Sequence, residues 1–204
     1  MTLFQYDSEL RKDYAVFCGV DEAGRGPLAG DVYAAAVVFD DGIVIDGIND
    51  SKKLTEKKRD QLFDEIIQKA KAYCVATASV EEIEELNILG ATMLAMKRAV
   101  EGLGIDVELA VVDGNRKPDM KCNVQTIVKG DGTSASIAAA SILAKVSRDR
   151  YMKDIAEKYP QYQFEKHKGY GTKLHNELIL EYGPSPVHRM SFLKKLYAKQ
   201  NNDC

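Results

Sequence analysis

Two segments near the N-terminus, 14–22 and 31–39, are rich in Val, Ala and aromatic residues and are separated by three glycines. This arrangement predicts two strands that pair as a hairpin. The first strand nevertheless ends in Asp21 and Glu22, two adjacent acids in a stretch that otherwise has the composition of a protein interior. Burying a carboxylate is costly unless a partner compensates its charge. We therefore expect something positive at the end of this hairpin.

The rest of the chain alternates between strand and helix patterns. Thr55 can cap one helix, and Ser79 with Glu82 has the spacing of a capping box that opens another. Strands are predicted at 14–22, 31–39, 73–79, 109–112 and 123–129, and helices at 56–71, 79–102, 134–158 (one helix or two abutting ones), 173–181 and 190–199. This order predicts one α/β domain over 1–204, with a mixed five-stranded sheet and its helices up to about residue 160 and a helical C-terminal region over about 161–204.

The composition indicates a globular protein, since 45% of the residues are hydrophobic and 29% are charged. No apolar run approaches the roughly 18 residues that span a bilayer, and the polar N-terminus does not resemble a signal peptide. We therefore expect a cytoplasmic protein without a membrane partner. The cysteines show no Cys-x-x-Cys spacing, which favours free thiols over a zinc or redox motif. They are Cys18, Cys74, Cys122 and Cys204.

Asp113 is a further acid at the end of a buried strand. It directly follows the continuous apolar run 109–112. Ligands bind outside the C-terminal ends of strands in open α/β sheets. Asp113-Gly114 is also an ordinary turn sequence, so this position alone leaves a functional and a structural interpretation open.

Asp149 lies on the helix predicted over 134–158, where it continues the apolar stripe that contains Ile142 and Val146. An ion pair with Lys145, four residues earlier, is the structural alternative. Several convergent acids supply the oxygen ligands that a hard divalent cation requires. The predicted positive partner is therefore Mg²⁺ or Mn²⁺, and its predicted ligands are Asp21, Glu22, Asp113 and Asp149.

The residues that follow Glu22, which we call the glycine loop (residues 24–30), do not match a nucleotide-binding motif. The spacing is not Gly-x-Gly-x-x-Gly, and the segment after the loop has a strand pattern instead of a helix pattern. We interpret the loop as backbone that approaches a ligand closely, with Arg25 between Gly24 and Gly26 placed to meet negative charge.

The C-terminal half is predicted to contact a polyanion. Residues 114–204 carry 16 Lys and Arg against 9 Asp and Glu, whereas residues 1–113 carry 12 against 22. The stretch 145–173 interleaves basic and aromatic residues, which supply phosphate contacts and base stacking in nucleic-acid binding. Tyr170 lies between two glycines and is expected to expose its ring. Lys52 and Lys53, in a polar turn before a helix, are predicted to position phosphate.

Two alternatives to a nuclease remain open on these residues. One is a nucleic-acid-binding module whose acids do not support turnover, and the other is a magnesium-dependent phosphotransferase. The histidines offer no metal spacing and no nucleophile elbow, so we expect surface or structural roles for them. They are His167, His175 and His188.

Six motifs, in this order along the chain, resemble bacterial ribonuclease HII, of the type 2 ribonuclease H family. They are Asp-Glu-Ala-Gly-Arg-Gly-Pro at 21–27, Asp-Ser-Lys-Lys-Leu at 50–54, Val-Asp-Gly at 112–114, the segment 138–149, Lys-Gly-Tyr-Gly-Thr at 168–172 and His-Arg-Met-Ser-Phe at 188–192. The resemblance covers residues 14–193, and the first motif is highly specific. The related ribonuclease HIII has a different glycine loop and a long N-terminal domain.

The resemblance implies a ribonuclease H-like mixed sheet and cleavage of RNA in RNA–DNA hybrids. It also implies incision 5′ of single ribonucleotides in duplex DNA with the help of two Mg²⁺ or Mn²⁺ ions. We expect the protein to be a monomer. The four acids match the family's metal ligands. Gly24, Arg25 and Gly26 match the loop that senses the ribose 2′-hydroxyl, and Tyr170 matches the tyrosine that stacks on the neighbouring sugar.

Overall fold

Five strands form one mixed sheet in the computed structural model, which describes residues 1–200 and the side chains of residues 1–198. The strands are β1 (Phe17–Ala23), β2 (Val32–Val38), β3 (Ala72–Ala78), β4 (Leu109–Asp113) and β5 (Asn123–Ile127). Their order across the sheet is β3-β2-β1-β4-β5. β2 pairs antiparallel with β1 and β3, whereas β4 pairs parallel with β1 and β5. The predicted hairpin, the five strands and the mixed sheet are confirmed.

Seven α-helices cover both faces of the sheet and one end of it within residues 1–200. They are α1 (Leu3–Leu10), α2 (Glu56–Lys69), α3 (Val80–Glu101), α4 (Ala135–Lys158), α5 (Phe164–His167), α6 (Lys173–Tyr182) and α7 (Met190–Gln200), and three 3₁₀ helices lie at Ser51–Lys53, Gly130–Gly132 and Pro160–Tyr162. β2 has alanines at 34–36, all buried, and these small side chains let helices approach from both sides. The core on one face joins the sheet to α3, and the core on the other joins it to α2 and α4.

The predicted caps are confirmed, because the Thr55 side chain accepts from the backbone of Lys58 and Ser79 forms a capping box with Glu82. The stretch predicted as one helix or two is the single helix α4. Cys18, Cys74 and Cys122 are free thiols, as expected, and Cys204 lies outside the described residues. Within residues 1–200, no helix combines the length and apolar character needed to cross a bilayer.

Three features of the fold differ from the sequence prediction. α1 begins with a capping box between Thr2 and Gln5, in a segment whose sequence indicates only a polar N-terminus. α3 bends at Asn87, whose φ of 60° interrupts the helix and whose side chain accepts from the next turn. α5 is a single turn between α4 and α6. α1 and α5 are short, and the bend in α3 involves the polar side chain of Asn87. Hydrophobic periodicity therefore detects none of the three.

Candidate active site

Asp21 and Asp113 are neighbours because of the register between β1 and β4. These parallel strands pair up to Val20 and Val112, and the next residue of each strand is an acid. Pairing with β4 stops there, whereas pairing with β2 continues in regular register past Glu22. Regular pairing therefore ends at these acids on the β4 side only, and the pairing of β1 with β2 has no bulge at Glu22.

Asp131 joins these acids, although the sequence did not predict it as a site residue. It lies in the 3₁₀ helix that follows β5. The backbone N–H of Gly130 donates to Asp113 Oδ1 at 2.6 Å, which holds this turn against the end of β4. Asp131 is buried. Burial raises its pKa, and the carboxylates of Asp50 and Asp113 raise it further.

The acids strongly affect one another's protonation. Burial raises the pKa of Asp21 well above its usual range, and the neighbouring Glu22 carboxylate adds to the rise. Asp113 and Asp131 act in the same direction. Burial also raises the pKa of Glu22, although Arg25, whose Nη1 lies 3.4 Å from Glu22 Oε1, opposes this. Four carboxylates therefore repel one another in one region, an environment that attracts cations.

Two contacts fix the start of α4, and with it the turn that carries Asp131: one to the sheet and one to α1. At Gly19, a side chain on β1 would collide with the backbone of Ser136, so the glycine permits α4 to touch the strand. Asp7 of α1 accepts from Ser134 Oγ at 2.6 Å and from the backbone N–H of Ser136 at 2.8 Å. Burial raises the pKa of Asp7, while these serine hydrogen bonds oppose the rise.

Asp149 is held by two cationic side chains in this structure. Its Oδ1 accepts from Lys145 Nζ at 2.6 Å, and its Oδ2 lies 3.9 Å from Arg59 Nη2. The structural alternative, an internal Lys–Asp pair, therefore describes Asp149 in this structure. Its assignment as a metal ligand stays a prediction that the geometry does not support.

Two buried arginines organise the glycine loop. Arg189 donates to the carbonyl oxygens of Gly24, Arg25, Pro27 and Gly30, at distances that include 2.7 Å to Gly24 O and 2.9 Å to Pro27 O. Arg148 donates to Ala29 O and Lys168 O, both at 3.1 Å. Gly24 has a φ of 101°, and a side chain there would collide with Arg148. The loop conformation therefore requires glycine and is fixed from inside the protein.

Tyr170 meets the glycine loop across the cleft. Tyr170 is 45% exposed, as the flanking glycines predicted. A side chain added at Gly26 would lie against the Tyr170 ring, and the Arg148 guanidinium lies 5.9 Å from the ring centre. The loop, the ring and part of the acid cluster line one cleft. Its walls are formed by Asp21, Glu22, Ala23, Gly24, Arg25, Gly26, Ser51, Lys52, Lys145 and Tyr170.

The two predicted phosphate-binding lysines differ in position. Lys52 lines the cleft. Burial lowers its pKa, but the surrounding carboxylates, with Asp21 and Asp131 first among them, together outweigh burial and raise it. Lys53 lies beside the cleft, with 65% of its side chain exposed and its Nζ 3.9 Å from Asp50 Oδ2. The structure thus places Lys52, but not Lys53, among the residues that line the cleft.

The histidines form a buried cluster in the C-terminal region, so they are not surface residues. The rings of His167 and His175 stack at 4.2 Å, and His175 Nε2 lies 3.1 Å from His188 Nε2. Burial lowers the pKa of His175 to about 3 and that of His188 to about 4. All three rings are therefore neutral at neutral pH, which agrees with the predicted structural role.

Within residues 1–200, no three carboxylate, histidine or cysteine side chains are arranged to hold a metal ion as they stand. The chemistry of the acids nevertheless fits a hard cation, because every ligand atom on offer is a carboxylate oxygen. The sheet order, with its antiparallel hairpin beside parallel strands, and acids at the ends of the two central strands define a nuclease of the ribonuclease H type.

Comparison with known proteins identifies the family. The ribonuclease HII family model matches residues 18–195. Ribonuclease HII of Caldicellulosiruptor bescii is 57% identical over 187 residues, which cover 92% of this chain and 91% of that protein. Ribonuclease HII of Burkholderia cenocepacia is 58% identical over 177 residues, 87% of this chain and 83% of the relative. The crystal structure of ribonuclease H2 from Pyrococcus horikoshii matches with a TM-score of 0.75 at 28% identity, covering 91% of this chain and 99% of that chain.

The chain belongs to the ribonuclease HII family. It is a ribonuclease H hydrolase, an endoribonuclease that acts on RNA–DNA hybrids.

Proposed function

We propose that this protein, acting as a monomer, also incises duplex DNA 5′ of single embedded ribonucleotides and leaves 5′-phosphate and 3′-hydroxyl ends. The observation that carries the proposal is that one cleft of one chain is lined by Asp21 and Glu22 of the acid cluster, by the glycine loop and by Tyr170. An acid cluster alone would support hydrolysis of any phosphodiester. The loop and the ring add the means to recognise one sugar.

Asp21, Glu22, Asp113 and Asp131 would hold Mg²⁺ or Mn²⁺. The sequence pattern predicts Asp149 in place of Asp131, but we favour Asp131 because it raises the pKa of Asp21, whereas Asp149 is paired with Lys145 and Arg59. Bound divalent ions supply an activated water and stabilise the leaving 3′-oxygen in this type of hydrolysis.

The glycine loop is suited to test for the ribose 2′-hydroxyl. Arg189 engages the carbonyl oxygens of Gly24 and Arg25 from inside the protein. Within the described residues, the backbone N–H groups of Arg25 and Gly26 donate no hydrogen bond, so both remain available to a ligand. Only backbone that approaches the sugar closely can contact this hydroxyl, the group that distinguishes RNA from DNA.

Tyr170 provides the test of the proposed function. Tyr170→Ala is expected to lower kcat on a duplex with one ribonucleotide by about tenfold to hundredfold, the worth of one stacking contact. The melting temperature should stay near that of the wild type because the ring is half exposed. Tyr170→Phe, the matched control, should retain most activity, since the ring face does the stacking. A single-ribonucleotide duplex with mapped product ends measures both variants.

The stacking role would be contradicted by an alanine variant that melts much lower and loses activity equally on all substrates. That result would make Tyr170 a packing residue. Undiminished cleavage by Tyr170→Ala would show that the ring does not contact the substrate productively.

For the lysines, Lys52→Ala/Lys53→Ala is expected to weaken binding to hybrid and to duplex DNA alike. The dependence of log affinity on log salt should become shallower by about 1 for each lysine–phosphate pair that the substitutions remove. Lys69→Ala/Lys71→Ala, at and just beyond the far end of α2, removes the same charge away from the cleft and should leave the slope unchanged. Equal slopes for both double variants would place Lys52 and Lys53 off the nucleic acid.

A further inference from the structure

The backbone that carries Tyr170 is anchored on both sides. The Tyr170 N–H donates to His167 O at 2.9 Å, and the Tyr170 carbonyl accepts from the Thr172 N–H at 2.8 Å. The same carbonyl lies 3.0 Å from His175 Nδ1. The exposed ring is therefore attached to a peptide whose donor and acceptor are both engaged.

The hydrogen bonds assign the tautomer of each histidine. The backbone N–H of Ser185 donates to His188 Nδ1 at 2.9 Å, so this nitrogen carries no proton and the proton is on Nε2. His188 Nε2–H must then donate to His175 Nε2, 3.1 Å away. His175 consequently carries its proton on Nδ1 and donates it to the Tyr170 carbonyl.

The third histidine has the opposite arrangement to His175. The backbone N–H of Gly169 donates to His167 Nδ1 at 3.2 Å, so His167 carries its proton on Nε2 and donates to Tyr162 O at 2.8 Å. All six ring nitrogens of the cluster are thereby used by neutral rings. His175 is the one histidine of the three whose donor is directed at the segment that carries the stacking ring.

We propose that His175, fixed in its Nδ1–H tautomer by His188, is a positioning residue that sets the orientation of Tyr170 for cleavage at single ribonucleotides. The proposal rests on the proposed stacking role of Tyr170. If His175 only packed against its neighbours, any ring of similar size could replace it. A positioning role instead requires a donor at the position of Nδ1 and an acceptor for it, and the geometry supplies both.

The surroundings keep the cluster neutral. Tyr162 and Phe164 pack edge-on or tilted against His188, and Phe164 also packs edge-on against His175. Burial lowers the pKa of both rings, and the neighbouring His167 lowers them further. The charged side chains that act on the cluster, Glu165 and Lys168, affect His167. A fixed neutral tautomer is therefore compatible with every contact around His175.

A first experiment tests the tautomers in the whole protein. Two-bond ¹H–¹⁵N correlation spectra at neutral pH distinguish Nδ1–H from Nε2–H histidines. We expect His175 as the Nδ1–H form and His167 and His188 as Nε2–H forms. An Nε2–H form for His175 would remove the donor to Tyr170 and overturn the proposal.

A second experiment tests the consequence for catalysis. His175→Leu removes the donor, whereas His175→Asn retains an N–H donor at the equivalent position. We expect His175→Leu to lower kcat on a single-ribonucleotide duplex by about tenfold to hundredfold, the effect of a small misplacement, with KM little changed. His175→Asn should recover most of this loss. Met96→Ala, in the buried core of α3, controls for loss of stability and should retain kcat when assayed well below its melting temperature.

The outcomes separate this proposal from the function on which it rests. Wild-type kcat for His175→Leu, combined with a large loss for Tyr170→Ala, would overturn the positioning role and leave the stacking role intact. Wild-type kcat for Tyr170→Ala would overturn both. Equal losses for His175→Leu and His175→Asn would show that His175 only packs, which also overturns the proposal.

Discussion

Asp21→Asn is expected to reduce cleavage of an RNA–DNA hybrid by at least about 10²–10³-fold, the loss typical of removing one electrostatic element of an active site. The same variant should melt no lower than the wild type in metal-free buffer. Burial and the neighbouring acids hold the Asp21 pKa well above its usual range, so its charge opposes folding. An amide of the same shape removes that opposition. Initial rates and thermal melts in excess chelator measure the two effects.

Added Mg²⁺ or Mn²⁺ extends the test of the acid cluster. A ligand that binds the folded state raises the melting temperature by mass action. The wild type should therefore gain stability with metal, and Asp21→Asn should gain less. A variant that unfolds, or one that cleaves at a near-normal rate, would make Asp21 a structural acid. Undiminished wild-type cleavage in excess chelator would exclude dependence on a divalent ion.

The contrast between Asp131→Asn and Asp149→Asn decides which is the fourth ligand. Asp131→Asn should behave like Asp21→Asn, with a large loss of cleavage and no loss of stability. Asp149→Asn should instead lower the free energy of unfolding by about 1–3 kcal/mol, because it weakens a partly buried, charged hydrogen bond to Lys145. The opposite pattern would restore Asp149 as the ligand. Both assays use the same hybrid and the same metal concentration.

The acids at the strand ends could be predicted because they depend on strand pattern alone. The apolar run before Asp113 and the strand pattern before Asp21 place both residues at strand ends, and parallel pairing of β1 with β4 then brings them together. Asp131 could not be identified in this way. It lies in an Asp-Gly turn with no periodicity, and only the hydrogen bond from Gly130 to Asp113 reveals its place. Helix projection points to Asp149 because it cannot distinguish an inward acid from one that pairs with Lys145.

Buried arginines show a second limit of sequence analysis. Arg148 and Arg189 are 1% and 0% exposed, although arginine is almost never fully buried without partners. Their partners are mostly backbone carbonyl groups of loops. Because every residue has a carbonyl group, the sequence does not show which of them will accept from a buried arginine. Arg189 lies in one of the motifs that resemble the family. Its contact with the glycine loop, more than 150 residues away in the sequence, is visible only in the tertiary structure. Local pattern predicted the loop, and long-range contacts fix its shape.

Arg189→Met is expected to be the most destabilising change to the cleft. All five N–H groups of the guanidinium have acceptors among the carbonyls of Gly24, Arg25, Pro27 and Gly30. Removing the side chain leaves these oxygens without their donors, and each buried polar group that loses its partner costs about 1–3 kcal/mol. For a chain of this size, the melting temperature should fall by roughly 10 °C. Cleavage should fall by about 10²-fold as the loop loses its shape.

Arg189→Lys distinguishes loop geometry from charge. Burial lowers the pKa of Arg189 to about 9, yet the group stays protonated at neutral pH, and lysine would also supply a cation there. An ammonium group offers three donors from one point, whereas the four carbonyls are arranged around a planar fork. Arg189→Lys should therefore resemble Arg189→Met in melting and in cleavage. Arg98→Met removes an exposed arginine paired with Glu82 and should change both little. Full rescue by lysine would show that charge alone holds the loop, and wild-type behaviour of Arg189→Met would show that the loop keeps its shape without the arginine.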